Sequence, residues 1–213
     1  MKKIVVLISG QGTNLQALID ACKSGMIPAQ IVSVISNKAD AFGLQRAKSA
    51  AIPSKVFLRQ EFKSNLAMDR QIAHYIESVQ ADLIVLAGYM KILSAEFTQR
   101  FAGRILNIHP SLLPKYPGLH TYQQALDAGE QEHGTTVHFV NEEVDGGAII
   151  LQAKVPIFDN DCIADIEERV KEQELRIYPL VVKWFVEDRL SLIDGKAFLD
   201  SQCLPKQGYA TEE

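Results

Sequence analysis

The sequence predicts an α/β fold: a doubly wound, mostly parallel sheet with antiparallel C-terminal strands, in three layers. In the first half of the chain, short apolar runs of strand length alternate with amphipathic helical segments, and this alternation is typical of βαβ units. In the second half, two strand-like runs are joined by a short turn. Such a turn favours antiparallel pairing, because parallel strands need a long crossover between them. The expected architecture is therefore Rossmann-like.

The first half of the chain predicts its elements through their apolar patterns. The first strand, Lys3 to Ser9, is a nearly continuous apolar run after its opening lysine, as expected of a strand buried on both faces. The helical segments place apolar residues at helical spacing, so each has one face for the core. The predicted strands are 3–9, 30–35, 54–58, 82–87 and 104–108, and the predicted helices are 14–23, 41–49, 61–79 and 94–100.

The second half predicts a different arrangement. A long helical pattern contains Pro179, and we expect an interruption there because proline has no amide hydrogen to donate. We find no linker, repeat or low-complexity segment, so the sequence predicts one domain over residues 1–213. The predicted elements are a helix at 121–128, strands at 135–140 and 148–155, a helix at 163–186 and a hairpin at 190–198.

Composition excludes several classes of function. The net charge of −4 and the pI of about 5.8 argue against binding of long nucleic acids, which requires a basic surface. No apolar run approaches the ~18 residues of a membrane span, and the N-terminal run is too short for a signal peptide. The cysteines, Cys22, Cys162 and Cys203, are far apart, so we expect neither a disulfide framework nor a zinc site. These features predict a cytoplasmic protein without a metal site.

A glycine loop, Ser9 to Asn14 (SGQGTN), joins the first strand to the first helix. Glycines let the backbone approach a ligand, and the free N–H groups of a helix start favour an anion such as phosphate. The alternative is a tight turn in which Thr13 or Asn14 caps the helix. The loop is neither a Walker A motif nor a good dinucleotide fingerprint, because Leu15 occupies the third glycine position.

The fifth predicted strand ends in Asn107, Ile108, His109 and Pro110. Alternate residues of a strand share a face, so Asn107 and His109 are expected to point the same way. Together they suit a reaction in which an oxygen becomes negative, since the amide donates a hydrogen bond and a protonated imidazole donates another or transfers a proton. The alternative is a structural pair that holds the following loop.

Asp145 precedes Gly146 and Gly147 in the predicted turn between the antiparallel strands. A carboxylate beside a histidine favours the imidazolium form, which would suit an acid acting near neutral pH. The alternative is an ordinary turn aspartate. The sequence by itself does not place Asp145 next to His109.

The segment Asn107 to Gly118, NIHPSLLPKYPG, closely resembles the signature of the formyltransferases that use 10-formyltetrahydrofolate. The SGQGTN loop resembles the branch of that family that formylates the amine of 5-phosphoribosylglycinamide (GAR) in purine synthesis. The resemblance extends over essentially the whole chain, including SNKADAFGL at 36–44, LAGYMKIL at 86–93, HGTTVHFV at 133–140 and LPKQGYA at 204–210. It implies transfer of a formyl group from 10-formyltetrahydrofolate, a co-substrate, to GAR.

The resemblance also implies a role for each matching residue, with phosphate binding in the half at about 1–100 and folate binding and catalysis in the half at about 101–213. Asn107 and His109 would bind the oxyanion, and Asp145 would tune His109. Glu174 has independent support, because it lies on an apolar helix stripe where a carboxylate needs a partner. GAR would contact Gly12, Thr13, Asn14, Lys171, Glu172, Gln173 and Glu174, and the folate would contact Met90, Lys91, Ile92, Leu93, Asn107, Asn141, Glu142, Glu143, Val144 and Asp145.

Several alternatives stay open at this level. A formyltetrahydrofolate hydrolase, in which water replaces the amine, is the nearest rival, and a non-catalytic phosphate- or nucleotide-binding protein is a rival of another class.

Relatives can carry an arginine where this chain has Asn65, so an ionic contact to the folate tail, from there or from Lys63, is left open. The loop at 111–121 is expected to be either a lid or a rigid proline-rich turn, and the chain a monomer or weak homodimer. His133 and His138 are expected on opposite faces of a strand, so they would not form one metal site.

Overall fold

The computed structural model describes residues 1–209, which form two compact units, residues 1–107 and the residues from Ile108 onward. The main sheet has seven strands, which in spatial order are β3 (Ser54–Val56), β2 (Ala29–Ser36), β1 (Lys2–Ile8), β4 (Leu83–Leu86), β5 (Ile105–His109), β6 (Glu132–Phe139) and β7 (Ile149–Pro156). The predicted α/β class, with a mostly parallel sheet and antiparallel C-terminal strands, is confirmed. The single-domain organisation stays a prediction. Ala210, the last residue of the LPKQGYA motif, lies outside the described residues.

The first unit alternates strands and helices. Strands β1, β2 and β4 consist largely of branched and other apolar residues and are almost wholly buried, as in a parallel sheet covered on both faces. Strand β1 lies between β2 and β4, and both pairings are parallel. The elements are β1 (Lys2–Ile8), α1 (Thr13–Lys23), β2 (Ala29–Ser36), α2 (Gly43–Ser49), β3 (Ser54–Val56), a 3₁₀ turn (Arg59–Glu61), α3 (Asn65–Ser78), β4 (Leu83–Leu86), α4 (Ala95–Arg100) and the start of β5 (Ile105–His109).

The second unit is built around an antiparallel pair and one long helix. Strands β6 and β7 pair antiparallel, and α6 contributes buried residues such as Ile166, Val170 and Val181 to the core. A small antiparallel sheet in the order β10-β9-β8 follows the helix. The elements are α5 (Thr121–Asp127), β6 (Glu132–Phe139), β7 (Ile149–Pro156), α6 (Ile163–Val186), β8 (Leu190–Ile193), β9 (Lys196–Leu199) and β10 (Gln202–Cys203).

The structure corrects the predicted elements at three places. The helix expected at 61–79 begins at Asn65, because the Ser64 side chain accepts a hydrogen bond from the Ala67 amide and caps it. The expected interruption at Pro179 is wrong, since α6 continues through it to Val186. Its fully buried neighbours, Tyr178 and Val182, provide apolar burial that offsets the missing hydrogen bond. The hairpin expected at 190–198 carries a third strand, β10.

Candidate active site

In the first unit, three of the sequence-predicted groups lie at one edge of the sheet. Strands β1, β4 and β5 are parallel neighbours, so their carboxyl ends share an edge, where α/β sheets bind ligands. The glycine loop follows β1 and the segment 87–94 follows β4. Asn107 pairs in register with Leu86 at the end of β4. The residues of this unit that are predicted to bind the phosphate, the folate and the oxyanion therefore lie at one edge of the sheet.

The glycine loop has the backbone geometry of an uncapped helix start. Gly12 occupies the N-cap position of α1 in the left-handed conformation, with a φ of 73°, and none of the described side chains caps this end. Capping by Thr13 or Asn14, the alternative left open by the sequence, is not observed. A Cβ on Gly12 would lie 2.8 Å from the Gly43 Cα, so this position requires glycine. A helix start of this geometry directs backbone N–H groups outward, which is the arrangement that favours an anion.

Helix α2 supports the same loop from the side. The Gly43 amide donates to the Gly10 carbonyl over 3.0 Å. The Arg46 Nε donates to the Gln11 carbonyl over 2.7 Å, and its guanidinium lies over the Phe42 ring at 5.0 Å. These contacts hold the loop backbone in place, and they also bring a cation next to the predicted phosphate position.

Ser9 links the end of β1 to the segment that follows β4. Its hydroxyl donates to the Asn37 Oδ1 over 2.5 Å and accepts the Met90 amide over 2.8 Å. Within the predicted folate segment, the side chains of Met90 and Ile92 are 62% and 72% exposed, whereas Leu93 is buried. The segment therefore exposes two large apolar side chains at the surface.

In the second unit, His109 is buried at the end of β5, with both ring nitrogens close to oxygen acceptors. Its Nε2 lies 2.8 Å from the Tyr116 carbonyl oxygen, and its Nδ1 lies 3.5 Å from the Asp145 Oδ2. A carbonyl accepts but never donates, so Nε2 carries a hydrogen. The ring is therefore held between a backbone carbonyl and a carboxylate, which fixes its orientation at the end of the strand.

The turn at 140–148 delivers the Asp145 carboxylate to this position. Asp145 has a left-handed φ of 53°, and a Cβ on Gly147 would lie 1.7 Å from the Phe139 carbonyl oxygen, so glycine is required there. The Gly118 amide donates to the Asp145 Oδ2 over 2.8 Å. A backbone donor and a histidine therefore orient the carboxylate, which distinguishes it from an ordinary turn aspartate.

His138 is a neighbour of Asp145 that the sequence reasoning missed. It lies inside β6, is 2% exposed, and places its Nε2 3.9 Å from the Asp145 Oδ1. Burial lowers the pKa of His138 despite the nearby carboxylate, so the neutral ring is favoured. The sequence offers no direct signal for this contact, because it depends on how the turn after β6 folds back.

The loop at 111–121 is hydrogen-bonded within the second unit. The Ser111 hydroxyl donates to the Lys115 carbonyl over 2.7 Å, and the Tyr116 hydroxyl donates to the Glu130 carboxylate over 2.8 Å. Together with the contacts of Tyr116 to His109 and of Gly118 to Asp145, they couple the loop to the predicted catalytic pair. Whether the loop acts as a lid or a rigid turn stays open.

The predicted GAR contacts of the second unit lie on α6. The Thr135 hydroxyl donates to the His109 carbonyl oxygen over 3.0 Å, and the Glu174 Oε1 lies 3.3 Å from the same hydroxyl. The carboxylate on the apolar stripe thus has a polar partner, as the pattern required. Lys171, by contrast, pairs with Glu167 at 2.7 Å on an exposed part of the helix. Glu172 is exposed and Gln173 is half-buried.

The predicted folate contacts of the second unit, Asn141 to Val144, are exposed and precede Asp145. The Asn141 Oδ1 accepts the Glu143 amide over 3.0 Å, which shapes the start of the turn. Among residues 1–209, no three histidine, cysteine, aspartate or glutamate side chains gather as a metal site would require. None of the helices in that range has the length and apolar character to cross a membrane.

Comparisons with known proteins agree with one another. A family model described as formyl transferase matches residues 2–182. Phosphoribosylglycinamide formyltransferase of Haemophilus influenzae is 70% identical over 212 residues and covers 100% of both chains. The Escherichia coli protein of that name is 57% identical over 210 residues, with 99% of both chains covered. Among solved structures, phosphoribosylglycinamide formyltransferase of Coxiella burnetii in complex with CHES aligns with a TM-score of 0.95 at 45% identity, over 99% of both chains.

Proposed function

The chain belongs to the formyl transferase family, and from that premise we propose that it transfers the formyl group of 10-formyltetrahydrofolate to the amine of GAR. The products are formyl-GAR and tetrahydrofolate. The single observation that carries the mechanism is the position of the Asp145 carboxylate, 3.5 Å from the buried ring of His109. A cytoplasmic setting, a monomer or weak homodimer and the lack of a metal cofactor stay predictions.

The GAR phosphate binds to the glycine loop in this proposal. The N–H groups of Gly12, Thr13 and Asn14 lie at the start of α1, where the helix dipole favours an anion. The left-handed Gly12 at the uncapped helix start supports this role. In the second unit, Lys171, Glu172, Gln173 and Glu174 face the ribose and amine. Glu174 is the most strongly supported of these four because Thr135 orients its carboxylate.

The folate binds to two segments, Met90–Leu93 in the first unit and Asn141–Asp145 in the second. The exposed Met90 and Ile92 side chains suit the flat, partly apolar pteridine ring. Neither Asn65 nor Lys63 has a described side-chain contact that favours a role at the folate tail, so that contact is not proposed.

Asn107 and His109 stabilise the charge that develops during the transfer. The unprotonated amine of GAR attacks the formyl carbon, and the carbonyl oxygen becomes an oxyanion. The Asn107 amide and the protonated His109 ring donate hydrogen bonds to this oxyanion, a contribution that belongs to the transition state. For this bond the ring of His109 rotates, so that its Nε2–H leaves the Tyr116 carbonyl oxygen and points to the oxyanion while the Asp145 carboxylate balances the charge of the ring.

The remaining steps complete the proton and bond balance. The attacking nitrogen loses a proton to water, the bond from the formyl carbon to the folate nitrogen breaks, and that nitrogen takes up a proton as tetrahydrofolate leaves. No covalent enzyme intermediate is needed. The protein contributes by positioning two substrates and stabilising charge.

A substrate-omission assay tests this function against its rivals. Consumption of 10-formyltetrahydrofolate is followed with and without GAR, together with formate release. The proposal requires consumption that depends on GAR, with one formyl-GAR formed per folate consumed. Formate release at the same rate without GAR would identify a hydrolase. Absence of any turnover, with GAR binding that survives substitution of Asn107, His109 and Asp145, would identify a phosphate-binding protein.

A further inference from the structure

Helix α3 carries a buried carboxylate for which the proposed mechanism has no use. Asp69 is 1% exposed, and its neighbours on the same helix face, Met68, Ile72 and Ala73, are apolar and buried. Burying a charged carboxylate costs several kcal/mol unless it is paired and hydrogen-bonded. A side chain of this kind is therefore expected to stabilise something specific.

The partners of Asp69 all lie in the segment that follows β4. Its Oδ1 accepts from the Lys91 Nζ over 2.5 Å, and its Oδ2 accepts from the Ser94 amide over 2.8 Å. The Lys91 side chain is only 11% exposed. Ser94 is also the N-cap of α4, because its hydroxyl accepts the Phe97 amide. One carboxylate thus fixes both the middle and the end of the segment 89–94.

The pairing with Asp69 determines which side chains of the segment face outward. Tyr89 and Leu93 are each 8% exposed, and Lys91 turns inward with them. Met90 and Ile92 alternate with these and are the exposed residues. The beginning of the segment is fixed separately, by the bond from the Met90 amide to Ser9. Loss of the Asp69 contact would release the Lys91 side chain. Met90 and Ile92 would then no longer be held facing outward.

We infer that Asp69 is a positioning residue for the folate, acting through Lys91 and Ser94 to hold Met90 and Ile92 in their outward orientation. This inference rests on the proposed function, in which Met90–Leu93 contact 10-formyltetrahydrofolate. It also assigns Lys91 a specific part: its ammonium is held by Asp69, so it shapes the segment and does not pair with the negative charge of the folate tail.

Asp69→Asn tests the inference with little change in volume. GAR-dependent activity of the wild type is established first, so a failure of the proposed function is recognised separately. We expect the KM for 10-formyltetrahydrofolate to rise about tenfold or more, because a ligand-binding segment has lost its fixed geometry. The KM for GAR and the kcat should stay within about threefold, since neither the glycine loop nor His109 is touched.

Arg70→Gln is the matched control. Arg70 is the next residue on α3 and forms an exposed bidentate pair with Glu96 of α4, so the variant loosens the same two helices without touching the segment. Both KM values should stay near those of the wild type, as expected for an exposed pair. A rise in the folate KM of Arg70→Gln equal to that of Asp69→Asn would overturn the inference.

Two further results would also overturn it. One is a folded Asp69→Asn protein whose folate KM stays within about twofold of the wild type, and the other is an equal loss of affinity for both substrates. Lys91→Gln removes the other charge of the pair and provides a second test if Asp69→Asn does not fold. It should raise the folate KM selectively, and an unchanged folate KM in that variant would contradict the inference.

Discussion

The Asp145 Oδ2 lies 3.5 Å from the His109 Nδ1, and both side chains are largely buried. Asp145→Asn keeps the size of this side chain but removes its charge, so the imidazolium of His109 loses its counter-ion. We expect kcat to fall by about 10²- to 10⁴-fold, the usual contribution of a positioned acid–base group. The KM for GAR should change far less. Steady-state kinetics with each substrate varied in turn measures both effects.

Glu132→Gln serves as the control for this variant. Glu132 pairs with Lys154 at 3.0 Å on the exposed surface and does not contact the side chain of His109 or Asp145 among the described interactions. We expect its kcat to stay within about threefold of the wild type. If Asp145→Asn retained wild-type turnover, Asp145 would have no catalytic role.

Gly12 and Gly25 flank the same helix, α1, and both have a left-handed φ, 73° and 79°. A Cβ on Gly12 would meet Gly43 at 2.8 Å, whereas a Cβ on Gly25 would meet no atom within 4 Å. Gly12→Ala should therefore raise the KM for GAR about tenfold or more, because it displaces the proposed phosphate loop. Gly25→Ala should cost about 1 kcal/mol in stability, from its backbone conformation alone, and leave both KM values unchanged.

These two glycine variants separate a local effect from a general loss of stability. Chemical denaturation gives the free energy of unfolding of each, and kinetics with GAR varied gives the KM. A Gly12→Ala protein that is folded and has the wild-type KM for GAR would show that the glycine loop does not bind the GAR phosphate.

The start of α6 is held by an ion pair whose strength should depend on pH. Arg169 forms a bidentate pair with Asp161, and the Phe158 amide also donates to that carboxylate. These contacts, the Arg169 hydrogen bond first, lower the pKa of Asp161 to about 2. Because the carboxyl of an unfolded chain titrates near pH 3.9, the stabilisation is complete above that pH and is lost as the pH falls towards 2.

Arg169→Met should therefore lower the unfolding temperature at neutral pH, and the difference from the wild type should narrow between about pH 4 and about pH 2. Thermal unfolding followed by circular dichroism at several pH values measures this. Lys154→Gln is the control, because Lys154 and Glu132 are both more than half exposed and such pairs contribute little. If the unfolding temperature of Arg169→Met differed from that of the wild type by the same amount from about pH 4 to about pH 2, the ion pair would not be the source of the stabilisation.

Local patterns in the sequence predict much of the fold and part of the candidate site. The apolar run of β1 and its glycine loop are adjacent in sequence, so their geometry follows from a strand, a turn and a helix start. Asn107 and His109 are two residues apart on one strand, so their shared face also follows from the local pattern. Pro179 was misjudged because its effect depends on tertiary burial around α6, which no local pattern reveals.

Contacts between distant residues could not be predicted from the residues alone. The approach of Asp145 to His109 and His138 depends on the folding of one glycine turn, and only the family resemblance implied the first of these contacts. No local pattern indicates a role for Asp69, because its partners are more than 20 residues away, at separations of 22 and 25. Buried polar partners of this kind become visible only once the tertiary structure is known.

Replacement of His109 by alanine is the most direct test of the proposed chemistry. Single-turnover rates at saturating 10-formyltetrahydrofolate and GAR measure the transfer step, and equilibrium titration of each substrate measures binding. We expect the transfer rate to fall by about 10²-fold or more while both dissociation constants change by less than about fivefold. A His109→Ala protein that transfers the formyl group at the wild-type rate would contradict the role of this residue and of the Asp145 contact that supports it.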